Sequence, residues 1–434
     1  MVPTVRKLVL VWVATIAAAR PLTAAPPVVQ TQRALDHLGQ AALAWQAQFN
    51  CSGCHKQPMT LAALATGVSR GHDAPLPGVV PGLVAGTVQG TSGQNAAGCF
   101  SFGGSSGFTM ATTFAGRGLE ASDRFLNLDF RTRLQSAADC LLARQAADGR
   151  LPADSVELPV SQGDFVTTAH GAYVWKRAFE RTGAAAYHDA ADRAIVWLRG
   201  RIAAIEAAPA SFTTQDQAML LAGLGGLGAG TADPDVARMH AVLASAQGGD
   251  GSWKIDGSTA GGNAHATGQA VFALRAAGFE SDDPVLAAGR DWLLAHEQAD
   301  GSWPAVNWTG GTPSAVAPSM WGALALATFP SPLATLRAAG TTIGWANVEG
   351  AESYDLIRGS LSALQIAGGN VDLADVTCLA AATSAISVDD PQLPAAPGDG
   401  FFYVFRLRWG SELGGYGRSS GGQERLPATG DCGP

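Results

Sequence analysis

An internal repeat of about 50 residues constrains the fold of this 434-residue chain more than any other feature. Four Ala- and Leu-rich segments each begin with a small or hydroxyl residue and then step through Gly-Ala or Gln-Ala to an apolar residue. Aligning them on Gly171, Gln217, Gln269 and Gly322 gives spacings of 46, 52 and 53 residues. A period of this length corresponds to one helical hairpin of a repeat array. The chain is therefore predicted to build paired, amphipathic helices.

A second motif marks the ends of the helices that lie between these segments. The strings are Gln145-Ala-Ala-Asp-Gly149-Arg-Leu151, Gln247-Gly-Gly-Asp-Gly251-Ser-Trp253 and Glu297-Gln298-Ala-Asp-Gly301-Ser-Trp303. Asp-Gly favours the left-handed turn that ends a helix, and the Trp is expected to pack back as an anchor. The unit around Trp197 keeps its helix but lacks the Gly-x-Trp ending.

These endings resemble the QW repeats of squalene and hopene cyclases and, more loosely, of protein prenyltransferases. The resemblance covers about residues 30–330 and implies an α/α toroid, in which inner helices line a cavity and outer helices wrap around them. A shared fold of this kind does not by itself imply a shared activity.

Extending the repeat towards the N-terminus predicts six inner helices, enough to close a ring. Residues 55–64, around Gln57, form the first inner helix, with residues 33–48 as its outer partner. Residues 108–118 form the second inner helix. Residues 72–100 are rich in Gly and Pro and are predicted to be a long loop of the kind that often serves as a lid or binding loop.

The motif with the most specific chemistry is Cys51-Ser-Gly-Cys54-His55, at the start of the first predicted inner helix. C-x-x-C-H is the attachment pattern of haem c: two thiols at this spacing attach the haem, and the adjacent imidazole ligates the iron. Two alternatives are a Cys51–Cys54 disulfide and a zinc site. Similar exported toroid proteins with this motif form an uncharacterised group, which the chain resembles.

A sixth iron ligand would be Met or His. The candidates are Met110, His72, His170 and His265. Met59 lies one helical turn beyond His55 and cannot reach the opposite face of a haem. A five-coordinate iron is the alternative.

The chain changes character after residue 332. Short alternating or apolar runs begin near Thr342, Ser353 and Phe401, with turn residues between them, as in short strands. Residues 339–434 resemble a fibronectin type III-like β-sandwich, which should bury Trp345 and its tyrosines. Such a module serves as a spacer unless it carries a ligand site. Cys378 and Cys432 are its only cysteines and are expected to form a disulfide.

Residues 1–25 have the pattern of a secretory signal peptide, with Arg6 and Lys7 before a short apolar run. The chain is therefore predicted to be secreted or periplasmic, with a retained N-terminal anchor as the alternative. Cleavage would change the net charge from −8 to −11, which disfavours nucleic-acid binding. In an exported chain, a Cys99–Cys140 disulfide is expected, with Cys140 as a free buried thiol as the alternative.

The motifs that would make a ring of this type a known enzyme are missing. The Asp-x-Asp-Asp acid of hopene-type cyclases has no equivalent, because the nearest string, around Asp283, is followed by Pro284 and is typical of a helix start. The Asp-Asp-x-x-Asp motif of other terpene synthases is also absent from the sequence. Zinc ligands like those of protein prenyltransferases cannot be assigned.

Sugar hydrolysis requires a pair of carboxylates. The sequence offers only two weak catalytic candidates for it, Asp216 and Asp164. Tyr173, Trp253, Trp303 and Trp321 are aromatic residues that could stack on a sugar, although packing in the ring core is the more ordinary role for them.

Three hypotheses follow. The first is an exported toroid that bears haem c and has an electron-transfer or redox role, with a redox partner. The second is a non-catalytic protein whose cavity binds an apolar or polymeric ligand. The third is an atypical enzyme of the terpenoid-cyclase or polysaccharide type.

Overall fold

The computed structural model describes residues 25–49, 55–88, 93–101, 108–154, 163–257, 259–306, 316–331, 336–394, 399–419 and 421–433. Within them lie thirteen α-helices followed by ten short β-strands. The predicted fold class, a helical ring followed by a small all-β module, is confirmed.

Six inner helices form the ring. They are α2 (Lys56–Ser69), α4 (Thr109–Phe125), α6 (Asp164–Thr182), α9 (Thr214–Gly226), α11 (Ala264–Ala276) and α13 (Val316–Ala327). Each packs against the next, and α13 packs back against α2, which closes the ring. Because the chain returns along an outer helix after each inner one, the inner helices run in the same direction and share one N-terminal end.

The outer helices are α1 (Pro27–Phe49), α3 (Val79–Val88), α5 (Arg131–Leu142), α7 (Ala185–Arg199), α10 (Pro234–Ala246) and α12 (Pro284–Ala295). A short helix, α8 (Ile202–Ala207), lies between α7 and α10. Asp283 caps the start of α12 by accepting from the Leu286 amide at 2.9 Å, as the Asp-Pro pattern predicts.

The prediction of a long loop over residues 72–100 is wrong, because α3 occupies its centre. Gly39 and Gly82 bring α1 and α3 close together. A Cβ at Gly39 would lie 2.9 Å from Val79 Cγ1, and one at Gly82 would lie 2.7 Å from Leu43 Cδ2. The glycines that suggested a loop are therefore contact points between two helices.

Glycines also set the spacing of the inner helices. A Cβ at Gly118 of α4 would lie 2.1 Å from the Pro58 carbonyl oxygen of α2, and one at Gly268 of α11 would lie 2.5 Å from the Trp321 backbone of α13. Only a residue without a side chain permits such backbone contact. Small residues thus draw the inner helices into a tight ring.

Each helix-ending motif packs its turn onto the next outer helix. Gln145 Nε2 donates to the Gly149 and Ala190 carbonyls at 2.9 and 2.8 Å. Gln247 Nε2 donates in the same way to Gly251 and Val285 at 2.8 and 3.0 Å. The indoles of Trp253 and Trp303 donate to the Leu243 and Leu293 carbonyls, which anchors them as predicted.

A further copy of this motif, which the sequence comparison missed, lies at residues 94–100. Gln94 Nε2 donates to the Gly98 and Arg133 carbonyls, both at 2.8 Å. Gly98 has φ +82°, in the same left-handed region as Gly149 and Gly251 at +91°. Phe100 stands where the other copies have Leu or Trp. This turn follows α3, so the first hairpins of the ring obey the same rule as the later ones.

The last copy closes the ring onto α1. A Cβ at Gly301 would lie 2.5 Å from the Arg33 carbonyl oxygen. Glu297 replaces the bonding Gln, and its carboxylate accepts from Arg33 Nε and Nη2 at 3.1 and 2.8 Å. The same turn that joins neighbouring units therefore also closes the ring. Here an ion pair replaces the two hydrogen bonds that a Gln side-chain amide donates in the other copies.

Two disulfides lie in the described residues. One joins Cys99, next to the Gln94–Gly98 turn, to Cys140 of α5. The other joins Cys378 to Cys432 within the β module. These are the pairings that the sequence favours.

The β module has a three-stranded sheet in the order β1 (Arg337–Ala339), β2 (Thr342–Gly344), β7 (Ser387–Asp389). A four-stranded sheet has the order β6 (Val376–Thr383), β3 (Ser353–Ser360), β8 (Phe401–Trp409), β9 (Glu412–Leu413). A small third sheet has the order β10 (Arg425–Leu426), β5 (Asn370–Asp372), β4 (Gln365–Ala367). The predicted strands near Thr342, Ser353 and Phe401 are β2, β3 and β8.

The ring and the β module share buried contacts. Val28 of α1 is 6% exposed and belongs to the β-module core around Trp345, Tyr354 and Phe405. Arg418 pairs with Asp36 of α1, with Nη1 donating at 2.7 Å. The first outer helix therefore belongs to the hydrophobic cores of both parts.

Among the described helices, none combines the length and the apolar character that crossing a membrane requires.

Candidate functional site

His55 directly precedes α2 at the N-terminal end of the ring. Its side chain is buried, with 7% of the residue exposed, and its Nε2 atom is enclosed. Burial, helped by the positive charge of Lys56 and by His265, lowers the pKa of His55 from 6.5 to about 3. The imidazole is therefore neutral at pH 7, which is the form that ligates a metal. The predicted attachment residues Cys51 and Cys54 lie outside the described residues.

The rings of His55, Phe114 and His170 lie in series and connect the start of α2 with α4 and α6. The His55 and Phe114 centroids are 6.4 Å apart, and those of Phe114 and His170 are 5.1 Å apart. Met110 is fully buried, one turn before Phe114 on α4. His265, the second residue of α11, lies 3.0 Å from Gln269 Nε2 through its own Nε2. Of the candidates for the sixth ligand, Met110, His170 and His265 lie in the N-terminal halves of their inner helices.

The tautomer of His170 follows from its neighbour. Arg117 Nη1 lies 3.4 Å from His170 Nδ1, and a guanidinium can only donate, so Nδ1 accepts. Burial and the Arg117 charge lower the pKa of His170 well below 6.5, so the ring is neutral. A neutral imidazole that accepts at Nδ1 carries its proton on Nε2. In this arrangement His170 Nε2 is a donor, and ligating iron would require the proton to move.

His72 lies at the other end of α2. The fourteen residues of this helix span about 21 Å at 1.5 Å per residue. His72 Nε2 contacts the Phe329 carbonyl at 3.2 Å, at the junction of the ring and the β module. The prediction that His72 could be the sixth ligand of an iron held by His55 is therefore wrong.

Asp216 and Asp164 have structural roles at helix starts. Asp216 completes a capping box with Thr213, accepting from the Thr213 amide at 3.0 Å. Asp164 accepts from Arg150 Nη1 at 2.7 Å and from the Ala153 amide at 2.8 Å. Burial raises the pKa of Asp216, while its bonds to Thr213 oppose the shift. Both carboxylates already hold the backbone in place, so the geometry adds nothing to a hydrolytic role for them.

The aromatic residues considered for sugar stacking differ in exposure. Trp253, Trp303 and Trp321 are at most 2% exposed, so none of them offers a face to a sugar. Tyr173 is half-buried, and its hydroxyl donates to Glu120 Oε2 at 2.6 Å.

The interior of the ring also holds a cationic side chain, Arg117, which the sequence analysis did not single out. Arg117 Cζ lies 4.7 Å from the Tyr173 ring centroid and 4.8 Å from that of Phe272. Burial lowers the pKa of Arg117, and the nearby Tyr173 and Glu120 oppose the shift. The available signal in the sequence was the position of Arg117 between Gly116 and Gly118, in the first apolar stretch of α4.

No group of three or more His, Cys, Asp or Glu side chains placed to hold a metal ion occurs among the described residues.

Comparison with known proteins defines the class of fold. Residues 211–306, which contain α9 to α12 and two of the helix-ending turns, match the family model of the squalene-hopene cyclase N-terminal domain. The chain therefore has a cyclase-like helical domain. The crystal structure of a protein from Actinoplanes shares 15% identity with a TM-score of 0.43, over 63% of this chain and 89% of that one. No curated protein sequence matches the chain.

Proposed function

We propose that the chain is an exported haem c protein built on a cyclase-like ring, with an electron-transfer or redox role. Cys51 and Cys54 would attach the haem through their thiols, and His55 would be the axial ligand. The observation that carries the proposal is the Cys-x-x-Cys-His motif at the N-terminal end of the ring, with its histidine buried and neutral. When bound, haem supplies a one-electron couple.

The residues around His55 suit this role. His55 is held in the unprotonated form that ligates iron, because its pKa of about 3 is far below neutral pH. Phe114 gives the site an apolar wall, and the fully buried Met110 lies one turn away on the same helix. Met110 and His265 remain candidates for a sixth ligand. His170 would first have to release Arg117.

We further propose that the β module is fibronectin type III-like and acts as a spacer. Support comes from the strand order, a three-stranded sheet of the first, second and seventh strands beside a four-stranded sheet. That arrangement is typical of a two-sheet sandwich. The third small sheet, β10-β5-β4, is an addition to it.

The test is to express the whole chain with an export signal and a cytochrome c maturation system. A denaturing gel stained for covalent haem should show a band that is absent from a Cys51→Ala/Cys54→Ala variant. A His55→Ala variant should retain less haem and show an altered reduced spectrum. The matched control is Cys378→Ala/Cys432→Ala, which also removes two thiols but should keep the stain. An unstained but folded wild-type chain would contradict the proposal.

A further inference from the structure

A cavity of about 1070 Å³ lies between the ring and the β module. One face of α1 lines it with Val29 and Gln32, the end of α2 with Val68, and β8 with Phe402. All four residues are half-buried, so the walls keep accessible surface for a ligand. Sites for small molecules have volumes of roughly 300–1,000 Å³ and often lie between domains. The cavity therefore has room for a ligand of that size.

The charges in the walls are largely neutralised. Three arginines of the lining are paired with carboxylates, in the pairs Arg33–Glu297, Arg418–Asp36 and Arg406–Asp355. These pairs stabilise the walls and leave little net field for an ion. The cavity therefore favours an uncharged ligand.

Asp73 and Arg425 face each other across Gly417 without forming an ion pair among the described residues. A Cβ at Gly417 would lie 3.0 Å from Asp73 Oδ1 and 3.2 Å from Arg425 Nη1, so these two atoms are at most about 6 Å apart. All three residues line the cavity. Burial raises the pKa of Asp73, whereas the Arg418 amide and the charges of Arg418 and Arg425 oppose the shift. The carboxylate is therefore partly removed from water, where hydrogen bonds to a ligand gain importance.

The gap between Asp73 and Arg425 suits a hydroxyl group. Arg425 Nη1 donates to the Tyr416 carbonyl at 3.2 Å, and its Nε and Nη2 atoms have no hydrogen-bond partner among the residues that the structure describes. A hydroxyl can donate to a carboxylate and accept from a guanidinium at the same time. Two such bonds through one oxygen span up to about 5.6 Å. A ligand hydroxyl can therefore bridge the two side chains.

Other parts of the lining suit a ligand with several hydroxyls and apolar C–H faces. Leu426 is 45% exposed and Phe402 is half-buried, so both offer apolar surface. Gln40 is exposed in the lining, and its side-chain amide forms no hydrogen bond within the described part of the chain.

We propose that the cavity between the ring and the β module is a binding site for a neutral carbohydrate. One sugar hydroxyl bridges Asp73 and Arg425, further hydroxyls bond to Gln40, and apolar sugar faces pack against Phe402 and Leu426. Hydrogen bonds to the two charged groups are the strongest contacts of the site. The proposal goes beyond the haem c proposal and does not depend on it.

The test applies the fluorescently labelled full-length chain to an array of oligosaccharides. The array carries neutral fragments of glucans, xylans, mannans, galactans and chitin, and acidic uronate fragments. We expect binding to at least one neutral fragment and weaker binding to the acidic ones. Titration with the best neutral fragment should give an affinity that changes little with added salt, because no ion pair forms. Absence of binding to every neutral fragment would overturn the proposal, and this comparison uses the wild type alone.

Two variants locate the site. Asp73→Asn and Arg425→Gln should each weaken the binding of that fragment at least about tenfold, because each removes a charged partner of the bridging hydroxyl. Arg337→Gln is the matched control, since Arg337 is exposed on β1 and does not line the cavity. The Cys51→Ala/Cys54→Ala variant should bind like the wild type, whether or not the wild type carries haem. Unchanged affinity in both Asp73→Asn and Arg425→Gln would place the carbohydrate elsewhere and contradict the proposal.

Discussion

At the scale of single residues, burial decides the charge of the histidines. His55, His72 and His170 are all buried, and each has a lowered pKa for that reason. None of these shifts could be predicted from the sequence, because the depth of a side chain depends on which helix face meets the core. The motif at His55 could be recognised, whereas the Arg117–His170 contact needed the ring to be closed.

His72 should make the protein sensitive to acid. Burial lowers its pKa from 6.5 to about 4, and the hydrogen bond to Phe329 opposes only part of the shift. As the pH falls below 6.5, His72 binds a proton in the unfolded chain, whereas in the folded chain it stays neutral until about pH 4. The free energy of unfolding should therefore fall by about 3 kcal/mol more in the wild type than in His72→Gln between pH 6.5 and 4.

Urea denaturation at pH 7 and pH 4 measures this difference. His188→Gln is the matched control, because it makes the same substitution at a histidine whose side chain is 51% exposed. Parallel curves for the wild type and His72→Gln would mean that His72 is not buried as a neutral residue.

At the scale of elements, one turn is used repeatedly to join hairpins. The sequence revealed this turn at Gly149, Gly251 and Gly301, because Asp precedes Gly in all three; Gly98 follows Ala97 instead. The copy at Gly98 keeps only the residues that bond the backbone, Gln and Gly, and has Phe in place of Trp. Its neighbour α3 was missed for a related reason: Gly and Pro suggest a loop unless the partner helix is known.

The Gln94 turn should be as important to stability as its later counterparts. Gln94→Ala leaves two carbonyls, of Gly98 and Arg133, without their donor. We expect it to lower the free energy of unfolding by about 1–3 kcal/mol. Gln247→Ala, which breaks the same pair of bonds in a copy recognised from the sequence, is the matched comparison. Chemical denaturation that showed a loss for Gln247→Ala alone would mean that residues 94–100 are not a working copy of the turn.

The loss of stability caused by a close backbone contact at these turns should be measurable apart from the loss caused by a strained φ angle. Gly251 and Gly278 both have φ +91°, but a Cβ at Gly251 would lie 2.5 Å from the Ala288 carbonyl oxygen, and one at Gly278 would meet nothing within 4 Å. Gly278→Ala should cost about 1–3 kcal/mol for strain alone. Gly251→Ala should cost clearly more, because its methyl group must displace α12. Thermal unfolding of the two variants checks this, and equal losses would show that the turn does not press on α12.

At the scale of the whole molecule, the β module packs against the ring through buried contacts and is not connected to it by the chain alone. The change in composition near residue 332 was enough to predict two parts. It gave no sign that Val28 of the first outer helix would enter the β-module core, because an apolar residue at a helix start fits either partner. The contact between the parts depends on residues far apart in sequence, such as Asp36 and Arg418.

Breaking that ion pair should destabilise the whole chain. The Arg418 and Asp36 side chains are 12% and 18% exposed, so Arg418→Gln leaves a largely buried carboxylate without its partner. We expect a loss of about 3 kcal/mol. Amide hydrogen exchange reads the signal of the ring helices and the signal of the β strands separately, and both should show this loss. Arg131→Gln breaks an exposed pair with Asp129 and should leave the free energy of unfolding nearly unchanged. Loss of the β signal alone, with the ring unchanged, would mean that the two parts unfold independently.

The central claim, that this ring carries covalent haem at Cys51 and Cys54, is tested most directly by the intact mass of the denatured, exported chain. Haem attachment predicts a mass greater by one haem than that of the Cys51→Ala/Cys54→Ala variant, after allowing for the two substitutions. It also predicts two disulfides, Cys99–Cys140 and Cys378–Cys432. A chain without the added mass, carrying a third disulfide between Cys51 and Cys54, would contradict the claim.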